Sequence, residues 1–246
     1  MSDAVLELID VTRNYHALRP LRLKQLTLLP GDHVAIVGLD QHAAEVLVNL
    51  MTGTTLPDQG EVRVDGRTTS AISDSEGWLA VVDRFGIVSE RAVLLESLSA
   101  LQNLAMPFSL DIEPLDEALR NRAIGLAQEV GLASCDWERK LAELDGSDRL
   151  RVRLGRALAL GPGIVVLEHP SVALARADVA KTAAGVRQVI ARRRLPDQPP
   201  LASVTLTMDL DFAEVVATRV LTLDPASGHL AERRRRSWFG RGTPSL

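Results

Sequence analysis

The chain has 246 residues, 46% hydrophobic and 24% charged, the make-up of an ordinary globular protein long enough for one large core or two small ones. Its net charge of -4 offers no electrostatic footprint for nucleic acid, so no nucleic-acid partner is expected. A lone cysteine, Cys135, excludes an intrachain disulfide and suits a reducing cytosol; no apolar run nears the ~20 residues that span a bilayer, and no signal-peptide pattern opens the chain, so a cytoplasmic protein is expected.

Residues 4–11 and 21–30 alternate apolar and polar side chains, the pattern of half-exposed antiparallel strands. Residues 33–37 predict a strand ending at Gly38, and residues 43–51 a helix stopped at Gly53. Residues 57–60 (PDQG) read as a turn, 61–64 as a short strand and Asp65-Gly66 as a second turn. Residues 67–80 show no clear period and predict a variable loop or short helix. A strand over residues 81–88 is interrupted by Asp83-Arg84. From Leu94 to Ala133 apolar residues recur at helical intervals, broken at residues 107–114, which predicts an inserted helical subdomain over about 90–160. An amphipathic helix over 179–194, a buried strand over 201–207, a helix over 212–218 and a last strand over 219–223 follow. Residues 1–231 read as one domain and 232–246 as a basic, flexible tail.

The pivotal stretch is residues 144–175: a Gly-containing turn, an Arg-studded helix, a Gly-Pro-Gly break, the apolar run Ile164-Val165-Val166-Leu167, then Glu168 and His169. A continuous apolar run suits a parallel strand covered on both faces. Polar residues at its carboxyl end stand where open α/β sheets hold ligands. This order resembles the signature helix, Walker B strand and following loop of an ATP-binding-cassette (ABC) ATPase. Five phrases lie in the family's order: RVRLGRALALGP and IVVLEHPSVAL within this stretch, and NLMTGTTLPDQGEVRVDGR, LLESLSALQNLAMP and VTLTMDLDFAEVVATRVLTLD outside it. The resemblance spans about residues 4–230, with a flavour of the lipoprotein-release and macrolide-export group. It implies an α/β, P-loop ATPase-like fold with N-terminal antiparallel strands, a mainly parallel core sheet and the helical insertion.

A phosphate loop GxxxxGK[S/T] uses glycines to bring amides onto phosphate, a Lys for the outer oxygens and a hydroxyl for Mg²⁺. The matching positions here are Gly38, Leu39, Asp40, Gln41, His42, Ala43, Ala44 and Glu45. Ala43 replaces the second Gly, Ala44 the Lys and Glu45 the hydroxyl, and Asp40 adds another acid. A lost charged hydrogen bond costs about 1.5–3 kcal/mol, and a nearby carboxylate repels phosphate by a few kcal/mol at an effective dielectric near ~20. At ~1.4 kcal/mol per tenfold, ATP with Mg²⁺ is expected to bind weakly, so no cofactor is assigned with assurance and no metal site is expected.

No residue is assigned a catalytic role. Glu168 and His169 stand at the Walker B Asp and Glu positions, Met208 replaces the switch histidine, and Glu90 the Q-loop glutamine. Ala175 takes the D-loop Asp position, and Asp145, Gly146 and Ser147, followed by Asp148, form a degenerate signature. Tyr15 alone suits its family place, stacking on adenine. In the head-to-tail dimers of the family, Asp145 and Asp148 would repel a partner's ATP. The resemblance therefore implies a non-hydrolysing structural or regulatory subunit of a transport complex, with a membrane permease and a second ABC domain, identical or not, as partners. The alternatives are a weakly active ATPase using Glu168, His169 and Tyr15, and an adaptor whose Arg233, Arg234, Arg235 and Arg236 beside Trp238-Phe239 meet an anionic membrane surface.

Overall fold

The computed structural model describes residues 4–196 and 198–233. Two sheets carry the architecture. The first is antiparallel: β1 (Leu6–Arg13), β2 (Leu21–Leu28), β4 (Gln59–Val64) and β5 (Arg67–Thr68), in the order β2-β1-β4-β5. The second holds β3 (His33–Val37), β6 (Phe85–Val88), β7 (Ile164–Glu168), β8 (Ala202–Thr207), β9 (Arg219–Leu223) and β10 (Leu230–Glu232), in the order β10-β9-β3-β8-β7-β6. Its strands are parallel except β10, which runs antiparallel to β9.

Every residue of β7 and β8 is buried, because the parallel sheet is covered on both faces. Val34, Ile36, Val166 and Val204 face α1 (Gln41–Met51) and the antiparallel sheet. Ala35, Val165 and Leu167 face the other core, built by α3 (Ala100–Ala105), α4 (Glu117–Glu129), α5 (Gly146–Leu158), α6 (Val179–Arg192) and α7 (Leu210–Val216). The remaining helix, α2 (Ser75–Val82), follows β5. The fold is the α/β arrangement expected from the sequence.

Several boundaries differ from the sequence reading, each for a local reason. Gln59 and Gly60 belong to β4 rather than to a turn: β1 carries a bulge between Ile9 and Thr12 with Asp10 at φ 49°, and a side chain at Gly60 would sit 2.4 Å from the Ile9 and Asp10 carbonyls. Val81 and Val82 close α2, so β6 begins only at Phe85. Residues 94–99 form no helix; α3 starts at Ala100, where Ser99 and Gln102 make a reciprocal capping box. α1 starts at Gln41 and α7 at Leu210, each set by an Asp cap that the hydrophobic pattern does not report. β10 was not foreseen. Arg234, Arg235, Arg236, Trp238 and Phe239 lie outside the described residues.

Asp209 accepts hydrogen bonds from the backbone N–H groups of Asp211 and Phe212 at the start of α7. Burial raises the pKa of this carboxyl, but the Phe212 amide, Ser171 and Arg176 outweigh it and hold the group below the ordinary aspartate value. A depressed folded-state pKa adds stability above the unfolded value and loses it as pH falls through the folded one. Asp209→Ala is therefore expected to cost about 1 kcal/mol near neutral pH, with the gap from wild type closing in acid, as urea titrations at several pH values would read.

Candidate functional site

The carboxyl ends of β3 and β7 define the crevice where a sheet of this kind holds ligands. β3 ends at Gly38, whose φ of 107° suits glycine. Only Leu39 and Asp40 separate it from α1, and Leu39 is buried. Asp40 caps the helix: its Oδ1 accepts the Ala43 N–H at 2.8 Å, and its carbonyl accepts the Ala44 N–H at 2.9 Å. Helix therefore fills residues 41–45, where an open phosphate loop would run, and a carboxylate of the chain sits on the helix's positive end. Ala44 is fully buried.

Glu168 ends β7 with its side chain shut off from solvent. A buried carboxylate needs a counter-charge and hydrogen bonds, and Arg91 supplies both. Its Nη2 lies 2.7 Å from Glu168 Oε2 and its Nε 3.2 Å from Oε1, a two-pronged bond. Its Nη1 lies 3.1 Å from Glu45 Oε1 on α1. The hydrogen bond from Arg91 to Glu168, above all, holds the guanidinium more firmly protonated than usual. Gln41 Nε2 adds a long contact to Glu168 Oε1 at 3.4 Å. One guanidinium thus bridges α1 and β7.

One face of Tyr15 is stacked against another ring of the chain. His42 lies over it, with ring centroids 5.0 Å apart and planes 29° from parallel. Burial, with Asp40 nearby, raises the Tyr15 pKa. The cavity bounded by Tyr15, Gly38, Asp40 and Ala43 is about 110 Å³, below the ~300 Å³ at which small-molecule pockets begin.

Of the other motif positions, Glu90, Asp145, Ser147 and Asp148 are engaged with their own chain. His169 has φ 45°, its N–H bonds the Leu206 carbonyl at 2.8 Å, and its Nε2 is enclosed without a hydrogen-bond partner. Met208 is exposed. Glu90 bonds Arg153 at 2.6 Å. Asp145 caps α5 by accepting the Asp148 N–H. Ser147 Oγ lies 2.9 Å from Thr182 Oγ1 of α6. A Cβ at Gly146 would fall 2.1 Å from the Ala173 carbonyl, so only glycine fits where α5 meets that loop. Asp148, expected to act on a partner's ATP, pairs instead with Arg151 one turn along its own helix; burial raises its pKa, opposed by that pair. Ala175 leads into a short 3-10 turn.

The structure brings Asp40, Gln41, Glu45 and Glu168 together and adds Arg91, which motif matching passes over because it occupies no named family position. The one sequence signal is its place beside Glu90, the single basic residue between Phe85 and Pro107.

A cassette sheet with helices on one face and a strand-rich layer on the other defines the class. The family model described as "ABC transporter" matches residues 21–172. The chain is 35% identical over 206 residues to the lipoprotein-releasing system ATP-binding protein LolD of Pseudomonas fluorescens, covering 84% of this chain and 86% of that one. It is 34% identical over 208 residues to LolD of Pseudomonas syringae pv. tomato, covering 85% and 87%. Among solved structures, the dimeric bacterial ABC transporter cassette MJ0796 overlays with a TM-score of 0.71 at 24% identity, covering 95% of this chain and 100% of that one. The chain belongs to the ABC transporter family, and its kind is that of the ATP-binding subunit. No helix among the described residues is long and apolar enough to cross a membrane.

Proposed function

We propose that this chain is a non-hydrolysing member of the family, a structural or regulatory subunit that docks on a membrane permease. The observation that carries the reading is Arg91 lodged between Glu45 and Glu168, the two positions that should serve Mg²⁺. Asp40 holds the amide at Ala43, and His42 covers Tyr15. ATP and Mg²⁺ do not fit these residues: cation, phosphate-facing amide and aromatic platform are each taken by a side chain of the protein. The Nε2 of His169 is enclosed without a hydrogen-bond partner and so does not reach the crevice.

Docking is supported by a groove of about 420 Å³ lined by Phe85, Leu94, Met106, Leu110 and Leu160, with Leu110 and Leu160 well exposed. It lies along residues 90–110, where the family resemblance places the permease contact. The relatives named above carry the name of a lipoprotein-releasing system, so a permease of that kind is the partner to seek. A second ABC domain, this chain or an intact one, completes the assembly. Isothermal titration of the full chain with Mg-ATP is expected to give no micromolar binding, and co-purification is expected to retain a membrane protein. ATP hydrolysis would overturn the non-hydrolysing part, and micromolar Mg-ATP affinity the statement that ATP does not fit the crevice; a chain purified from its native membrane-containing extract without a membrane partner would overturn the docking part.

A further inference from the structure

The end of α4, one face of α5 and the second half of α6 enclose a cleft of about 420 Å³ that shares no residue with the nucleotide crevice. Its volume is that of a small-molecule site. Gln128 and Gly131 come from the end of α4, Arg151 from α5, and Gly185, Gln188 and Arg192 from α6. The three α6 residues recur at intervals of three and four, so they share one face of that helix. The cleft is basic. Arg193, just beyond α6, has a side chain only 9% exposed and is engaged with Glu129 and with the Leu158 carbonyl, the latter at 2.7 Å. Arg151 pairs with Asp148. Arg192 meets no acid among the described residues: its Nη1 and Nη2 donate to the neutral Gln188 Oε1 at 2.9 and 2.7 Å, with the amide turned to accept. Three guanidiniums are therefore matched by two carboxylates, and the uncompensated one lines the cleft.

Gly185 supplies an independent observation. It lies inside α6, its φ is outside the left-handed region, and an added Cβ would meet no neighbouring atom within 4 Å. Neither conformation nor packing asks for glycine there, and glycine is a poor helix former. Gly131 differs: it follows the α4 cap at φ 71°, a turn that favours glycine. A bare backbone at position 185 is what a ligand lying close against α6 requires.

We propose that this cleft binds the phosphoryl group of a small soluble molecule, held by Arg192 and Arg151 with Gly185 as the floor. The planar fork of a guanidinium matches the oxygens of carboxylate and phosphate alike. A phosphoryl group adds a third acceptor oxygen out of the plane, which suits guanidiniums arriving from two different helices. The site stands apart from the non-hydrolysing reading, since no crevice residue enters it.

Calorimetric titration of the full chain with sodium pyrophosphate, without divalent ion, probes the site. One saturable site is expected, weakened roughly tenfold or more by Arg192→Ala through the loss of a charged hydrogen bond. Gly185→Leu is expected to abolish the binding while the urea midpoint holds or rises, because leucine is the better helix former and its Cβ enters open space. If that variant does not fold, Gly185→Ala takes its place, with weakened binding as the expected result. Pyrophosphate affinity that neither substitution changes would put the anion elsewhere and overturn the site. Flotation on phosphatidylcholine vesicles containing phosphatidate separates the two sources of a phosphoryl group. Flotation that both substitutions reduce, with no pyrophosphate binding, would overturn the soluble ligand in favour of a lipid headgroup; neither binding nor flotation would overturn the site altogether. Mg-ATP affinity lost in Gly185→Leu would belong to this cleft, whereas affinity that survives it would belong to the crevice and count against the reading given above.

Discussion

Arg91→Ala is expected to destabilise the chain by about 3–5 kcal/mol, the usual cost of leaving a buried charge without its partner. The stake is on the Glu168 side. That carboxylate has no solvent access, and without the guanidinium it keeps only a long contact from Gln41. The Glu45 half of the bridge is open to water on both sides and contributes little. The variant should also acquire a property the unaltered chain lacks. Glu45 and Glu168 would flank a vacated cation position, and oxygen ligands of that kind suit a hard divalent ion. Saturating Mg²⁺ or Ca²⁺ at about a hundredfold over its dissociation constant would restore about 2.7 kcal/mol. Urea unfolding with and without divalent ion measures both effects. A loss below about 1 kcal/mol together with no response to divalent ion would mean that Arg91 is not the resident cation. Arg91→Lys should fall between, since an ammonium cannot form the two-pronged bond.

How much of this was legible beforehand depended on the physics behind each feature. Strands β3 and β7 are readable because burial on both faces writes itself as a continuous apolar run, whereas β8 and β9 interleave apolar residues with Ser, Thr or Arg. Strands β1 and β2 were readable because burial on one face writes itself as alternation. β6 was misjudged because Val81 and Val82 are as apolar as Ile87 and Val88, and hydrophobicity does not say where a helix stops and a strand starts. Helix α1 starts two residues late, at Ala43, in the sequence reading because the apolar spacing begins there, whereas the structure sets its start by Asp40 capping Ala43. The departures of Ala44, Glu45 and Met208 from the pattern that the family resemblance implies are visible position by position. What filled the gaps was not: Arg91 meets Glu45 and Glu168 across 46 and 77 residues of chain, and charge pairing over such separations leaves no period in a sequence. The stacking of His42 on Tyr15 was hidden for the same reason, although both residues had been singled out.

These arrangements bear on whether the crevice merely lacks two residues or has been rebuilt. Restoring the missing lysine and hydroxyl through Ala44→Lys with Glu45→Ser is expected to fail on both counts, folding and binding. Ala44 is fully enclosed in a core with Leu47, Val48 and Ile36. A longer side chain there overpacks the site at about 1–3 kcal/mol, and an ammonium in that core adds several kcal/mol more unless it loses its proton. Glu45→Ser also frees one arm of Arg91 to leave the crevice more positive, yet the guanidinium still occupies the Glu168 carboxylate. Asp40 would still hold the Ala43 amide, and His42 would still cover Tyr15. The double variant should therefore lose about 3 kcal/mol or more in urea unfolding and show no micromolar Mg-ATP binding by titration. Recovery would require opening the loop as well, through Asp40→Ala, which removes the capping oxygen, with Ala43→Gly and Arg91→Gln, so that the helix starts later and its first amides turn outward. A double variant that folds as stably as the unaltered chain and binds Mg-ATP in the micromolar range would mean that the phosphate cradle is still present and only two side chains short.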